Sequence, residues 1–195
     1  REAELAKASA EADRLRAVLA AAEAEKSRLA AEHSKLMHTA ALTKAKFDLM
    51  EALKPQIEKG NIMVRQEKAG QVEVRLADRL MFDSGKDGLK SEGGAVLKQV
   101  GAILKDVPGA QITVEGHTDN VPVTSKLKEK FLSNTELSQA RAINAAKFLE
   151  EAGVAKDRMH SVGKGEADPI ADNKSLDGRK KNRRVEIVIT QTEPS

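Results

Sequence analysis

No glycine or proline interrupts the first 54 residues of the chain, and apolar residues recur there at seven-residue spacing. This spacing is typical of a helix that packs along another helix in a coiled coil, because it keeps the apolar residues on one side. A helix of that length spans about 80 Å at about 1.5 Å per residue. The predicted seam consists of Leu15, Ala22, Leu29, Leu36, Thr43 and Met50 in one position, and of Leu5, Ala12, Leu19, Lys26, His33, Ala40 and Phe47 in the other.

Two residues of this seam, Lys26 and His33, stand where apolar side chains would pack better. Polar residues in a seam lower the stability of a coiled coil and favour an assembly of two strands. We therefore predict that residues 1–54 form a parallel homodimer. A lone helix or a helix folded back on the chain is the alternative.

Pro55 and Gly60 end the helical pattern. A hairpin follows, with a turn near Ala69 and Gly70, and its second arm runs on to Phe82 before Gly85 and Gly88 break it. Strands and helices then alternate, which predicts an α+β fold with helices packed on a mixed sheet. The predicted helices cover residues 89–107 and 137–152 and a short stretch before Asn182, and the predicted strands cover residues 62–64, 72–76, 112–116, 159–162 and 185–189.

This pattern divides the chain into three expected parts. They are a coiled-coil stalk at residues 1–54, a linker and hairpin at residues 55–71, and a folded domain at residues 72–195. The chain begins at Arg1 and enters a helical pattern at once, so we interpret it as part of a longer protein. Because no apolar run approaches the ~20 residues that a membrane helix needs, we expect any membrane anchor to lie outside this sequence.

The composition excludes several kinds of site. The formal net charge is only +3, and there is neither Trp nor Tyr, so the chain lacks the basic surface and the stacking side chains of a nucleic-acid-binding protein. The absence of cysteine excludes disulfides and thiolate metal sites. We therefore predict no nucleic-acid partner.

An acid follows the predicted strand at residues 112–116. Asp119 lies in a polar turn, where a carboxylate either caps backbone amides or faces a ligand. We expect Gly116 and the small Thr118 to let the backbone come close to that ligand. On the following helix, Arg141 lies on a different face from the buried positions, and only a partner such as Asp119 or a ligand carboxylate would hold its planar fork. An acid and an arginine that face one pocket suit a zwitterion.

The run from Arg179 to Arg184 contains five cations around Asn182. Such a run is compatible with a patch that binds nucleic acid or anionic lipid. It leads directly into the last predicted strand, however, so its side chains must point in different directions. We therefore expect one or two of these arginines to face a site and the others to form a solvated rim.

Other kinds of chemistry find little support. His117 has no second histidine at metal-binding spacing, and a zinc site needs three or four protein ligands. No Gly-x-Ser-x-Gly elbow is present, so a serine nucleophile is not indicated. We predict no metal, no cofactor and no catalytic residue.

Three segments in this order resemble the OmpA-like domain (the OmpA/MotB/Pal family), over roughly residues 72–190. They are Val114-Glu115-Gly116-His117-Thr118-Asp119-Asn120, Leu137-Ser138-Gln139-Ala140-Arg141-Ala142 and Asn182-Arg183-Arg184-Val185. The resemblance implies a βα-layered domain that binds the peptide stem of peptidoglycan. It also implies that Asp119 takes the ammonium of diaminopimelate and that Arg141 takes its carboxylate.

The resemblance assigns further residues to this pocket. Asn134 matches the asparagine that precedes the Leu-Ser pair, and Arg183 matches the first arginine of the Asn-Arg-Arg-Val run. Thr118 and Leu137 would line the pocket. Phe82 and Asp83 match a Phe-Asp run at the end of the family's first domain strand. The segment from Asn120 to Ser133 is longer than in the shortest members and is similar to the MotB branch and to coiled-coil lipoproteins.

The resemblance implies a non-enzymatic, peptidoglycan-binding protein of the periplasm of a Gram-negative bacterium, with the coiled coil as a spacer. We expect an anchor in the outer membrane or, alternatively, in the inner membrane. One rival is a MotB-like stator subunit of the flagellar motor. Two others are an enzyme acting on cell-wall peptides and a scaffold that binds only proteins through its coil.

Overall fold

The computed structural model describes residues 1–68, 70–83, 86–123 and 125–192, with the side chains of Ser125 and Lys126 excepted. Its helices are α1 (Glu2–Ala52), α2 (Lys54–Glu58), α3 (Asp78–Met81), α4 (Ser91–Leu104), α5 (Ser125–Lys128), α6 (Asn134–Glu151) and α7 (Leu176–Asn182), with a 3-10 turn at Lys156–Arg158. Its strands are β1 (Ile62–Lys68), β2 (Gln71–Ala77), β3 (Ala110–His117), β4 (Met159–Gly165) and β5 (Arg184–Gln191).

The five strands form one sheet in the order β1-β2-β5-β3-β4. Three neighbouring pairs are antiparallel, whereas β3 and β4 are parallel. The parallel pair requires a crossover, and α6 provides it. The predicted α+β class with helices on a mixed sheet is therefore confirmed.

The apolar core lies between one face of the sheet and helices α4 and α6. Alternate residues of β2, β3 and β5 face it, so residues such as Val74, Val114 and Ile187 are fully buried. The alternation follows from the pleat, which turns every second side chain to the same face. Ser133 caps α6 by accepting a hydrogen bond from the backbone N–H of Glu136 at 3.2 Å, and a serine followed three residues later by a glutamate is the spacing of a capping box.

The end of α1 packs against the same core. Leu42, Ala45 and Leu49 are buried at spacings of three and four residues, and Leu53 continues this stripe beyond the helix. The predicted seam lies on another stripe of the helix, where Phe47 and Met50 are exposed. The helix therefore presents one face to its own chain and leaves the predicted seam uncovered.

The hairpin of β1 and β2 belongs to the sheet, with β1 at its edge. Strand β1 thus lies within the predicted linker and hairpin at residues 55–71, while its partner begins the predicted domain. The division of the chain at these boundaries stays a prediction. The turn near Ala69 and the break at Gly85 fall on residues outside the described ranges.

One predicted element was wrong. The second arm of the hairpin ends at Ala77, and the helical turn α3 follows it. Phe82 therefore comes after a helix, not at the end of a strand, and makes a single bridge to Leu89. The apolar run Leu80-Met81-Phe82 is buried, and a run of that length is compatible with either a strand or a helical turn.

The other face of the sheet carries charged residues in pairs. Arg65 and Arg75 both contact Glu73, and Arg75 and Arg184 both contact Glu186. No apolar layer packs on this face within the described residues. Its ionic side chains can nevertheless be buried, because each charge has an opposite charge beside it. Among the helices of the described part of the chain, none combines the length and the hydropathy that spanning a membrane would require.

Candidate functional site

A cleft of about 580 Å³ opens beside the carboxyl end of β3. Its walls come from α3 and the residues after it, from the segment between β3 and α6, from α6 itself, and from α7 with Arg183. All eight residues that the sequence proposes for a ligand site line this cleft: Phe82, Asp83, Thr118, Asp119, Asn134, Leu137, Arg141 and Arg183. Their role in binding a ligand remains a prediction.

The close contact between β3 and α6 brings the two predicted charged motifs together. A side chain at Gly116 would clash with the backbone carbonyl of Ser138, because the helix crosses the strand directly above that glycine. Asp119 follows Gly116 by three residues, and Arg141 follows Ser138 by three. The expectation that Gly116 lets the backbone approach a ligand was wrong, because the space beside this glycine is filled by α6.

Arg141 is buried, in contrast to the solvated position that is usual for an arginine. Its Nη1 donates to Asp78 Oδ1 at 2.7 Å, and its Nε and Nη2 both donate to the carbonyl of Lys86, at 3.3 and 2.9 Å. The ring of Phe82 lies beneath the guanidinium, 4.5 Å from its carbon to the ring centroid. These three contacts hold the planar group in one orientation.

Asp119 pairs with Arg183, not with Arg141. Arg183 Nη1 lies 2.5 Å from Asp119 Oδ2, and the other oxygen of Asp119 accepts a hydrogen bond from the backbone N–H of Val121 at 3.0 Å. Asp119 therefore caps its own turn and holds a cation at the same time. Of the two partners that the sequence suggested for Arg141, Asp119 or a ligand carboxylate, Asp119 does not contact it, and Asp78 takes that place.

Asp78 joins these two ion pairs. Its Oδ2 lies 3.8 Å from Arg183 Nε, while its Oδ1 accepts from Arg141. The order Arg141, Asp78, Arg183 and Asp119 thus alternates in charge along the cleft. Such an arrangement offers both a carboxylate and a guanidinium to an incoming ligand that carries both charges.

Burial changes the pKa of two of these four groups. It raises the pKa of Asp78 above the ordinary range of an aspartate, with Arg141 and Arg183 opposing this shift and Asp119 adding to it. Burial likewise lowers the pKa of Arg141. Both shifts have one cause, since a charge in a poorly hydrated site loses solvation energy. The chain thus holds two ions where water solvates them poorly.

Polar groups from three elements define one end of the cleft. Asn134, the first residue of α6, donates from Nδ2 to the carbonyls of Asp119 and Val121 and to Glu166 Oε2, at 3.3, 3.0 and 3.1 Å. The N–H of Thr118 donates to the carbonyl of Gly165 at 2.8 Å. Within the described residues, Thr118 Oγ1 is buried and has no hydrogen-bond partner, so a ligand could use it.

The segment between β3 and α6 also lines the cleft. It contains α5 and packs through a small apolar cluster of Val123, Leu127, Phe131 and Leu137, separate from the main core. Lys130 ties it down by contacts to both oxygens of Asp87, at 3.0 and 2.8 Å. This longer segment thus gives the cleft an apolar wall.

Sequence reasoning missed Asp78, Arg79 and Lys90 on the cleft wall, whereas Arg179 and Arg183 both belong to the basic run of which one or two arginines were expected to face a site. A signal for Asp78 was present. It continues the alternation of Val72, Val74 and Leu76, so an acid stands at a position where the pattern calls for a buried apolar side chain. An acid in such a position requires a buried cation nearby.

His117 turns away from the cleft, to the open face of the sheet. It is nearly fully buried, with Nε2 at 3.5 Å from Glu115 and 3.7 Å from Glu186. The three side chains together have the composition of a metal site. Glu186 already accepts from Arg75 and Arg184, however, and Lys164 lies 3.9 Å from Glu115. Because these cations balance the carboxylates, we assign no metal here.

Comparison with known proteins agrees with this architecture. The model of the OmpA family matches residues 81–183. Motility protein B of Bacillus subtilis is 38% identical over 117 residues, which are 60% of this chain and 44% of that protein. Peptidoglycan-binding protein ArfA of Mycobacterium tuberculosis is 42% identical over 94 residues, which are 48% of this chain and 27% of that protein. The chain thus matches about half of these relatives' length or less.

Solved structures match a larger part of the chain. A MotB-like protein from Desulfovibrio vulgaris superimposes with a TM-score of 0.69 at 25% identity, covering 79% of this chain and 96% of that one. The cell wall anchor of the T6SS from Pseudomonas aeruginosa gives a TM-score of 0.65 at 30% identity, covering 74% and 97%. Both alignments extend beyond residues 81–183, so the fold agreement includes more of the chain than the family model does.

Proposed function

Because this chain belongs to the OmpA family, we propose that its cleft binds peptidoglycan without covalent chemistry and so attaches an envelope protein to the cell wall. Relatives named as a peptidoglycan-binding protein and as a cell wall anchor support this proposal. The proposed ligand is the stem peptide, through a diaminopimelate residue that carries an ammonium and a carboxylate on one carbon. The binding residues are the eight predicted ones together with Asp78.

The observation that carries this proposal is the alternation of Arg141, Asp78, Arg183 and Asp119 along one cleft. An ammonium that approaches Asp119 takes over part of the role of Arg183, which is the most exposed of the four. Arg141 uses three of its five N–H groups within the described chain, which leaves one on each terminal nitrogen for a carboxylate. Because the four charges balance one another, a zwitterion can enter without leaving a net charge unpaired.

We further propose that α1 is a stalk that dimerises. The large apolar residues of the predicted seam are exposed in the single chain, including Leu5, Leu15, Leu29 and Leu36, whereas the stripe that packs on the domain is a separate one. A second copy would cover the seam without disturbing the domain contact. The stalk would separate the wall-binding cleft from an anchor in the envelope, in the outer or the inner membrane.

A MotB-like stator subunit is a narrower alternative. A motility protein and a MotB-like structure are among the relatives, and the latter covers 79% of this chain. The residues upstream of Arg1 distinguish the two proposals. A lipidated cysteine after a signal peptide favours an outer-membrane lipoprotein, whereas a membrane helix that contains a buried acid favours the stator.

The test is co-sedimentation of the purified chain with insoluble peptidoglycan sacculi. Asp119→Asn and Arg141→Lys should each abolish or strongly reduce pelleting, since loss of one partner of a desolvated charge contact costs about 2–5 kcal/mol, or roughly 30-fold or more in affinity. Asp157→Ala, on the 3-10 turn away from the cleft, is the control and should pellet as the unmodified chain does. Thermal melting confirms that each variant is folded. Full pelleting of both cleft variants would show that these residues are not the binding site.

A further inference from the structure

The cleft carries more positive charge than a zwitterion requires. Five cationic and three acidic side chains line it. Arg141 and Arg183 are matched by Asp78 and Asp119, and the third acid, Asp83, pairs with Lys86 at 3.1 Å. The lining cations that remain are Arg79, Lys90 and Arg179, and none of them has an ion pair with any residue of the described ranges.

Neutral groups hold these three cations in place. Arg79 donates from Nε to the side-chain oxygen of Asn61 at 2.8 Å and from Nη2 to the carbonyl of Gly60 at 3.2 Å. Lys90 donates to the carbonyl of Arg79 at 3.0 Å, and Arg179 Nη1 to that of Asn173 at 2.9 Å. Carbonyl and amide oxygens orient a cation but leave its net charge in place.

The arginines on the open face of the sheet show the opposite arrangement. Arg65, Arg75 and Arg184 each contact a glutamate. The fold thus provides a carboxylate for each of these sheet-face arginines and provides none for Arg79, Lys90 or Arg179. Cations that are held in place but have no carboxylate beside them attract an anionic group of a ligand.

We call Arg141, Asp78, Arg183 and Asp119 the clamp, and Arg79 and Arg179 are close to members of this clamp along the chain. Arg79 directly follows Asp78 on α3. Arg179 lies one helical turn before Arg183, which directly follows α7, and the N–H of Arg183 donates to the carbonyl of Arg179 at 3.1 Å. Both side chains line the cleft. One ligand molecule could therefore contact the clamp and these cations together.

We propose that Arg79, Arg179 and Lys90 form a second carboxylate subsite beside the clamp. The ligand is then an acidic peptide, in which the zwitterionic residue occupies the clamp and a carboxylate from another residue occupies this subsite. This inference rests on the proposed function, because it assumes that the clamp holds the zwitterion. A wall polymer rich in phosphate would also be attracted to three cations, but it would have no use for the alternating charges that lie in the same cleft.

The test uses two soluble peptides with the same zwitterionic residue. The first has a free carboxylate on a neighbouring residue, and in the second that carboxylate is amidated. Isothermal titration calorimetry should show that amidation weakens binding to the unmodified chain by about 10-fold, the range of a partly exposed charge-assisted contact. The Arg79→Gln/Arg179→Gln double variant should lose most of this preference and should bind the free-carboxylate peptide nearly as weakly as the unmodified chain binds the amidated one, with Lys90 alone keeping the remainder.

Two controls sharpen the result. Lys180→Gln removes an exposed cation of the same helix that does not line the cleft, and it should keep the preference for the free carboxylate. Arg179→Gln alone, which leaves the contacts of Arg79 to the residues after α2 intact, should lose part of the preference even if the double variant folds poorly. Thermal melting of each variant separates loss of folding from loss of binding.

The outcomes separate this inference from the proposed function. Equal binding of both peptides by the unmodified chain overturns the second subsite and leaves the clamp standing. Failure of both peptides to bind overturns the proposed function and the subsite with it. Glycerol-phosphate polymer is the third probe. If the Asp119→Asn variant binds it as tightly as the unmodified chain does and the double variant does not, the three cations serve a phosphate polymer and the carboxylate subsite is wrong.

Discussion

Asp78 Oδ1 accepts a hydrogen bond from Arg141 Nη1 at 2.7 Å, although 63 residues separate the two in the chain. The side chain of Asp78 is 16% exposed and that of Arg141 is 7% exposed, so water solvates both poorly. A pair of this kind is costly to form but more costly to break, because removal of one partner leaves the other as an isolated buried charge. The position of Arg141 in the cleft therefore depends on Asp78.

This dependence predicts a large loss of stability on removal of the carboxylate. Asp78→Ala should lower the free energy of unfolding by about 3–5 kcal/mol, measured by urea denaturation. Asp83→Ala breaks an exposed pair with Lys86 in the same part of the cleft and should cost less than about 1 kcal/mol. The double variant Asp78→Leu/Arg141→Met, which removes both charges, should be more stable than Asp78→Ala. Equal costs for Asp78→Ala and Asp83→Ala would contradict the assignment.

Asp78 and Glu186 should change the free energy of unfolding with pH in opposite directions. Burial raises the pKa of Asp78, so the folded chain holds that proton more tightly than the unfolded chain does. Burial also opposes ionisation of Glu186, but the hydrogen bond from Arg184 and nearby positive charge outweigh it and lower that pKa. The contribution of Asp78 is thus greatest at low pH and is lost as pH rises through its raised pKa, whereas that of Glu186 is lost as pH falls through its lowered pKa.

Urea midpoints between about pH 3 and pH 7 test this contrast, because free aspartate and glutamate titrate near about pH 4. As pH rises, the unmodified chain should lose stability relative to Asp78→Asn. Over the same range, the unmodified chain should gain stability relative to Glu186→Gln. Slopes of the same sign for the two variants would show that their environments do not differ in this way.

The contact of Gly116 with Ser138 predicts a steric effect on both folding and binding. In Gly116→Ala, the new methyl group meets the carbonyl of Ser138, and overpacking of this kind costs about 1–3 kcal/mol. The strand and helix must also separate, which displaces Asp119 from Arg141. Gly88→Ala is the matched control, since nothing lies within 4 Å of the added methyl group. We expect a lower melting temperature and weaker sacculus binding for the first variant alone.

The two stripes of α1 should respond differently to substitution. Leu49 is fully buried against the domain, and Leu49→Ala should cost about 2–5 kcal/mol in a chain of any oligomeric state. Leu29→Glu changes an exposed residue of the predicted seam. It should convert a dimer to a monomer in light scattering while leaving the unfolding of the domain unchanged. A Leu29→Glu variant that remains dimeric would place the dimer contact elsewhere.

Local sequence patterns predicted the elements well because each pattern depends on residues a few positions apart. Apolar spacing located the long helix, the hairpin, the two core helices and the last strand. The pattern failed at residues 78–82, where a short apolar run suits either a strand or a helical turn. The same ambiguity affected α1, since the seam and the docking stripe both have spacings of three and four residues, and only contact with the rest of the chain distinguishes them.

The sequence by itself located eight of the residues that line the cleft, because the three motifs end or begin elements that meet at one edge of the sheet. Only the tertiary structure decided which charges pair. Asp119 has Arg183 and Arg141 both within the same cleft, and nothing in their spacing favours one over the other. The approach of α6 over Gly116 and the turn at Asp78 set the distances, and electrostatic energy depends on distance and solvation more than on order along the chain.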